Sequence, residues 1–169
     1  TSFAEYEART VSTVFSGPIT ENIGYRLAAQ QSKRDGYVKN DFLDRHDTNN
    51  IDEQTIRGKL HWQAREYLNI KLVGLYVNAE NGYDSFSLDN TRHTFSDQPG
   101  HDRQETLAFS IESEWKNNSQ FDVISLMSYS SSDLEYGFDE DWSYSAICAD
   151  YSCGGSAYKS TDNYLRDRI

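Results

Sequence analysis

Very short polar turns alternate with long polar loops between strand-like stretches, and this alternation limits the possible folds of the chain more than any other feature. The short turns lie near Ser16-Gly17-Pro18, Gln63-Ala64-Arg65-Glu66 and Lys116-Asn117-Asn118-Ser119. The long loops cover residues 33–53, 81–102 and 132–161. Residues 55–62 show the intervening pattern most cleanly: Ile56, Gly58, Leu60 and Trp62 fall on one side, Arg57, Lys59 and His61 on the other. A period of two is a strand signal. Short turns on one rim and long loops on the other are the pattern of a transmembrane β-barrel wall.

The same reading gives strands at residues 4–15, 20–31, 55–62, 67–79, 105–115 and 120–131, with the approach to a seventh at 163–169. Most are ten residues or longer, where soluble sheets average about five or six and a tilted membrane strand needs roughly 9–11. Two places blur the alternation. Val73, Leu75 and Val77 imply a bulge or an interior patch, and Ile124 and Leu126 sit on the otherwise polar side. Phe15, Trp62, Tyr67, Trp115 and Phe121 stand near the short turns, as an interfacial belt would. The expected fold is all-β, an antiparallel meander of long hairpins forming part of a large transmembrane barrel. Residues 1–169 then make one partial barrel domain, since six strands are too few for a closed wall.

Composition narrows the function. The net charge of −11 argues against nucleic acid, whose phosphates need Lys and Arg. Mean hydropathy is −0.78 and no apolar run reaches 18 residues, so a membrane helix is excluded while a barrel is not. With neither an initiator Met nor a signal peptide, the sequence reads as a mature or excised piece. Cys148 and Cys153 lie in the third long loop, and a small disulfide there implies an oxidising compartment. No zinc pattern, phosphate loop, HExxH pair or G-x-S-x-G elbow occurs, so no enzyme, cofactor or metal site is expected.

Residues 16–28, Ser-Gly-Pro-Ile-Thr-Glu-Asn-Ile-Gly-Tyr-Arg-Leu-Ala, resemble the first barrel turn of TonB-dependent outer-membrane receptors. Asp35-Gly36-Tyr37-Val38-Lys39-Asn40 follows in the place of that family's first outer loop. Arg57-Gly58-Lys59-Leu60-His61-Trp62 and Leu68-Asn69-Ile70-Lys71-Leu72 then look like its second hairpin. The resemblance implies an outer-membrane barrel of a Gram-negative bacterium, embedded in lipid and importing a scarce nutrient, with ferric siderophores the leading ligand. It also implies energy coupling to TonB through a plug region that these residues do not include.

On this reading Arg26, Arg57, Lys59, Lys71, Glu112 and Glu114, with Arg9 and His61, face the lumen, because such charges on the lipid side cost several kcal/mol. The aromatic loops face outward, and Trp142 and Tyr144, beside Cys148 and Cys153, are the expected ligand contacts. The acidic run Asp133, Glu135, Asp139, Glu140 and Asp141 matches no calcium-loop spacing and is expected to be solvated. The competing readings are a passive porin, a secreted carbohydrate-binding β-domain and a β-rich glycosidase. The last would need two carboxylates at a cleft.

Overall fold

Alternating β-branched and aromatic residues build strands, and here they build little else. A computed structural model describes residues 1–83, 86–116, 121–139, 142–144, 146–147 and, as backbone, 161–168. The strands are β1 (Ser2–Phe3), β2 (Arg9–Thr20), β3 (Ile23–Arg34), β4 (Val38–Asn40), β5 (Arg45–Thr48), β6 (Ile51–Arg65), β7 (Leu68–Gly82), β8 (His93–Thr94), β9 (His101–Lys116), β10 (Asp122–Asp139) and β11 (Thr161–Arg168). Eight form one sheet in the order β1-β2-β3-β6-β7-β9-β10-β11, every pair antiparallel. The sheet is open, with β1 and β11 at its edges. The three-stranded sheet β5-β4-β8 is built from the first two long loops.

The hairpins do not end in line. Asn22, in the first turn, accepts a hydrogen bond from Gln63 N (2.8 Å), yet β6 continues to Arg65 and turns at Glu66–Tyr67. The second hairpin therefore reaches about three residues beyond the first. Tyr67 in turn accepts from Lys116 N (2.8 Å), where β9 pairs Asp122 of β10, so the third hairpin closes two to three residues further again. Both displacements have the same sense.

Register sorts the side chains onto two faces, since directly paired residues point the same way. Leu27, Leu60, Leu72, Ile111 and Met127 share the first, which carries no charged side chain over β7 from Leu68 to Asn78, β9 from Leu107 to Trp115 or β10 from Val123 to Ser131. Nearer the loops this face becomes a crown of charges: Lys33–Asp52 pair at 2.6 Å, and Arg103 bridges Glu80 (3.1 Å) and Glu135 (3.3 Å). The opposite face is polar and charged, interrupted by Val73, Leu75 and Val77 on β7 and by Ile124 and Leu126 on β10. No register break occurs at β7's apolar run, so the bulge alternative is wrong and the run is an apolar patch on the polar face.

Among the described residues, neither face of the large sheet is covered. Ile111 and Leu72 remain 40 % exposed, Phe109 55 % and Met127 65 %. Among the described residues only two hydrophobic side chains are buried, Val38 and Ile147, and both belong to the loops. The packed part of the protein is thus the loop cap. Gly36 permits it: a Cβ there would coincide with the Thr48 carbonyl, so only glycine lets the first loop fold back on β5. Asn40, fully buried, donates from Nδ2 to Ser96 O (2.9 Å) and accepts at Oδ1 from the amides of Phe42 (3.0 Å) and Leu43 (2.9 Å).

Several expected boundaries move. The first turn lies at Glu21–Asn22, not at Ser16-Gly17-Pro18, because Pro18 stays within β2. β1 pairs β2 only at Arg9 and Thr10, so β2 is an edge at Pro18, where the missing N–H costs no ladder bond. The first predicted strand divides at residues 4–8, where Tyr6 (φ 58°) and Glu7 (φ 52°) adopt left-handed backbone. β10 runs to Asp139, eight residues beyond the predicted end at 131, because Tyr136 and Phe138 carry the alternation into the cap. The seventh strand is present as β11, paired to β10 from Ser132↔Arg168 to Asp139↔Thr161.

Candidate functional site

Two features could act on something outside the chain: the two-sided sheet and the cap above its loop end. In the sheet, Arg26, Arg57, Lys59, Lys71, Glu112 and Glu114 all lie on the polar face, together with His61. Lys71 Nζ meets Glu112 Oε1 at 2.7 Å across the β7–β9 pair. Arg9 does not belong with them. It pairs in register with Lys33 and so lies on the apolar face, in its charged crown. The expectation that groups Arg9 with these charges fails because the apolar face itself turns polar there.

The aromatic residues near the turns separate into two groups. Tyr67 and Phe121 flank the turns, while Tyr25, Trp62 and Trp115 project from the apolar face, each three to four residues from its own turn. Phe15 shares that face but stands higher, in the row of Leu27. Tyr76, Phe109 and Tyr129 form a second aromatic level about ten residues from their turns, with Phe109 and Tyr129 at 5.2 Å between ring centroids.

The cap joins all three loops. β4 and β8 pair in parallel at Lys39↔His93 and Asn40↔Thr94, locking the first loop to the second. His93 Nδ1 lies 2.7 Å from Asp41 Oδ2, and Lys39 Nζ lies 2.6 Å from Asp41 Oδ1. Hydrogen bonding from Lys39, and next from His93, holds the Asp41 carboxyl below the usual carboxylate range, since donors favour the charged form. The third loop docks through the Asp97 amide, which donates to Ser143 O (3.1 Å) and Asp139 Oδ2 (3.1 Å).

Both expected ligand contacts take part in this joining. Trp142 stacks on Phe86 at 4.9 Å and 8°, and Tyr144 stacks on Phe42 at 4.6 Å and 19°. Each therefore presents one ring face to another loop. Trp142 has left-handed backbone (φ 58°), its indole Nε1 is buried without a hydrogen-bond partner, and its ring joins an aromatic cluster of Phe86, Phe138 and Tyr83 through Phe86. Sequence spacing could not bring out Phe42 and Phe86 as partners, because the stacks join residues from different loops. Cys148 and Cys153, and Glu140 and Asp141 of the acidic run, lie outside the described residues.

No set of three or more His, Cys, Asp or Glu side chains suited to a metal ion occurs among the described residues, and no described helix is long and apolar enough to cross a membrane. Arg45 pairs with Asp47 at 3.0 Å within the cap. What the arrangement offers chemically is binding at an aromatic, loop-built surface and separation of apolar from charged surroundings across one sheet. No protein-family model matches the chain, and no curated protein or solved structure is significantly similar to it.

Proposed function

We propose that the large sheet is part of the wall of an outer-membrane β-barrel and that the protein is a TonB-dependent-type receptor, importing a scarce nutrient such as a ferric siderophore. The observation that carries the wall is the uncovered apolar face between two aromatic levels, ending in a charged crown. A water-soluble sheet of this size buries one face; this one leaves large apolar side chains on both. Stacking against lipid removes that cost.

The hairpin offsets support the same reading. An offset of two and a half to three residues is about 8–10 Å along the strand, over two strand spacings of about 4.8 Å each. If the turns lie at one level, the strands tilt by roughly 40–46°, at the upper end of the range of transmembrane barrels. The uncharged stretch on β10, Val123 to Ser131, and the longer one on β7 then span about 20 Å and about 25 Å, which matches the hydrocarbon-facing band of a barrel. On the other face, charges meet water, as an interior would allow.

The receptor reading, as against a passive porin, rests on the resemblance of the first two hairpins and on the cap. A porin needs open loops, whereas these loops fold into a sheet of their own with interlocked aromatic stacks. The carbohydrate-binding alternative requires a covered sheet face, and none is present among the described residues. The test is uptake of radioactive ferric siderophores by cells carrying or lacking the intact gene, with and without TonB. TonB-dependent uptake that needs the gene is expected. Equal uptake in both strains across ligands of differing chemistry contradicts the receptor reading and leaves the wall reading standing.

A further inference from the structure

We propose that the turn-end half of the polar face binds a small multivalent oxyanion, a polycarboxylate or polyphosphate, and that this anion is the cargo on its way through the pore. The inference rests on the pore reading above and assigns its cargo a charge.

Three adjacent strands place five cationic or titratable groups together. Arg26 of β3 lies directly opposite Lys59 of β6, and His61 of β6 directly opposite Lys71 of β7. Arg57 stands one step further along the same face of β6. Like charges directly opposite one another across a ladder are destabilising. The Arg26–Lys59 pair is therefore a cost to folding.

Among the described residues, cations elsewhere divide: Arg65 and Arg92 bond only neutral oxygens and Arg34 lies over the Tyr37 ring, whereas others are ion-paired. Lys33, Lys39, Arg45, Arg103 and Lys116 each contact a carboxylate within 4 Å. In the turn-end patch only Lys71 does so, through Glu112; Arg26, Arg57 and Lys59 have no ion-pair partner among the described residues. This happens in a chain of net charge −11, where carboxylates outnumber cations. What sets this patch apart is that three unpaired cations stand together on adjacent strands, which offers a site for a charge that comes from elsewhere.

There is also room for it. Arg26, Lys59, His61 and Lys71 line one concavity of about 530 Å³, within the size range of small-molecule sites. Gly24, which carries no side chain, lies opposite His61 and keeps the space open. Glu21 is the one carboxylate among the residues lining it. The unpaired Arg26 guanidinium and Lys59 ammonium line this cleft beside Lys71, which already holds Glu112. They suit several oxygens of one anion, and a positive pore lining raises the local concentration of anions.

The test is calorimetric titration of the intact, detergent-solubilised protein with inorganic pyrophosphate at low ionic strength. Saturable binding is expected, weakened at least tenfold in Arg26→Gln/Lys59→Gln. Arg45→Gln, in the cap, leaves it unchanged. Arg26→Lys/Lys59→Arg keeps both charges and retains binding, which separates loss of charge from loss of fold. Absence of saturable binding overturns the proposal, including the case in which an acidic segment of the protein already fills the patch. So does equal binding by the Arg26→Gln/Lys59→Gln variant. Thiol labelling of a Met127→Cys variant separates the two readings. Pyrophosphate binding with the introduced thiol reachable from water makes the pore reading wrong and overturns the cargo assignment. Lipid contact at the introduced thiol without pyrophosphate binding overturns the oxyanion site alone.

Discussion

Met127→Arg distinguishes a lipid-facing wall from a solvated sheet more sharply than any other single change. Met127 sits near the middle of the uncharged stretch of β10, opposite Ile111, and is 65 % exposed. On a water-exposed sheet a substitution there would fall within about 0.5 kcal/mol of neutral. Facing the middle of a bilayer, an arginine costs about 2–4 kcal/mol, or roughly 30- to 700-fold in the folding equilibrium. Its neighbour Ser128 points to the other face, so Ser128→Arg is the matched control and is expected to be near neutral. The assay is reversible denaturant unfolding of the intact protein in lipid vesicles, read from tryptophan fluorescence. A near-neutral Met127→Arg together with a costly Ser128→Arg would refute the assignment of faces.

Three further outcomes follow from the cap. Gly36→Ala pushes a methyl group into the Thr48 backbone and should destabilise the cap by about 1–3 kcal/mol, seen as faster proteolysis within the first long loop while the turn end is unaffected. Trp142→Ala should speed cleavage near Phe86 by removing the stack between the second and third loops, and unchanged protection there would contradict that role. Acid should loosen the join between the first two loops: the native Asp41 carboxyl ionises below its ordinary value of 3.8, so its contribution is complete above that value and is lost as the pH falls below it. Asp41→Asn should abolish this acid-induced change in proteolysis between the loops, and an unaltered change in the variant counts against it.

How much was legible in the sequence differs between sheet and cap. The alternation of Arg57, Lys59 and His61 with Leu60 and Trp62 is local, and it assigned the faces of β6 correctly. The apolar run at Val73, Leu75 and Val77 was ambiguous because a bulge and an apolar interior patch read alike along one strand; only the unbroken pairing with β6 and β9 separates them. Pro18 misled because proline usually marks a turn, and its tolerance in β2 depends on that strand having no neighbour there. The cap was the least legible. Its parallel β4–β8 pairing joins residues more than fifty positions apart, and the Asn40 amide finds its acceptor, Ser96 O, only once the second loop arrives. Trp142 and Tyr144 stand out in the sequence as aromatic loop residues, but their stacking partners come from tertiary proximity alone.

Cysteine accessibility across the two faces of β6 tests the central claim most directly. Single cysteines replacing Arg57, Lys59, Leu60 and Trp62 would be introduced into the intact protein in membranes and treated with a charged, membrane-impermeant thiol reagent. With the faces as assigned, positions 57 and 59 react from the aqueous interior, while 60 and 62 are protected by lipid and labelled only by an apolar reagent. Reaction of 60 and 62 with the charged reagent, with 57 and 59 protected, would contradict a lipid-facing wall.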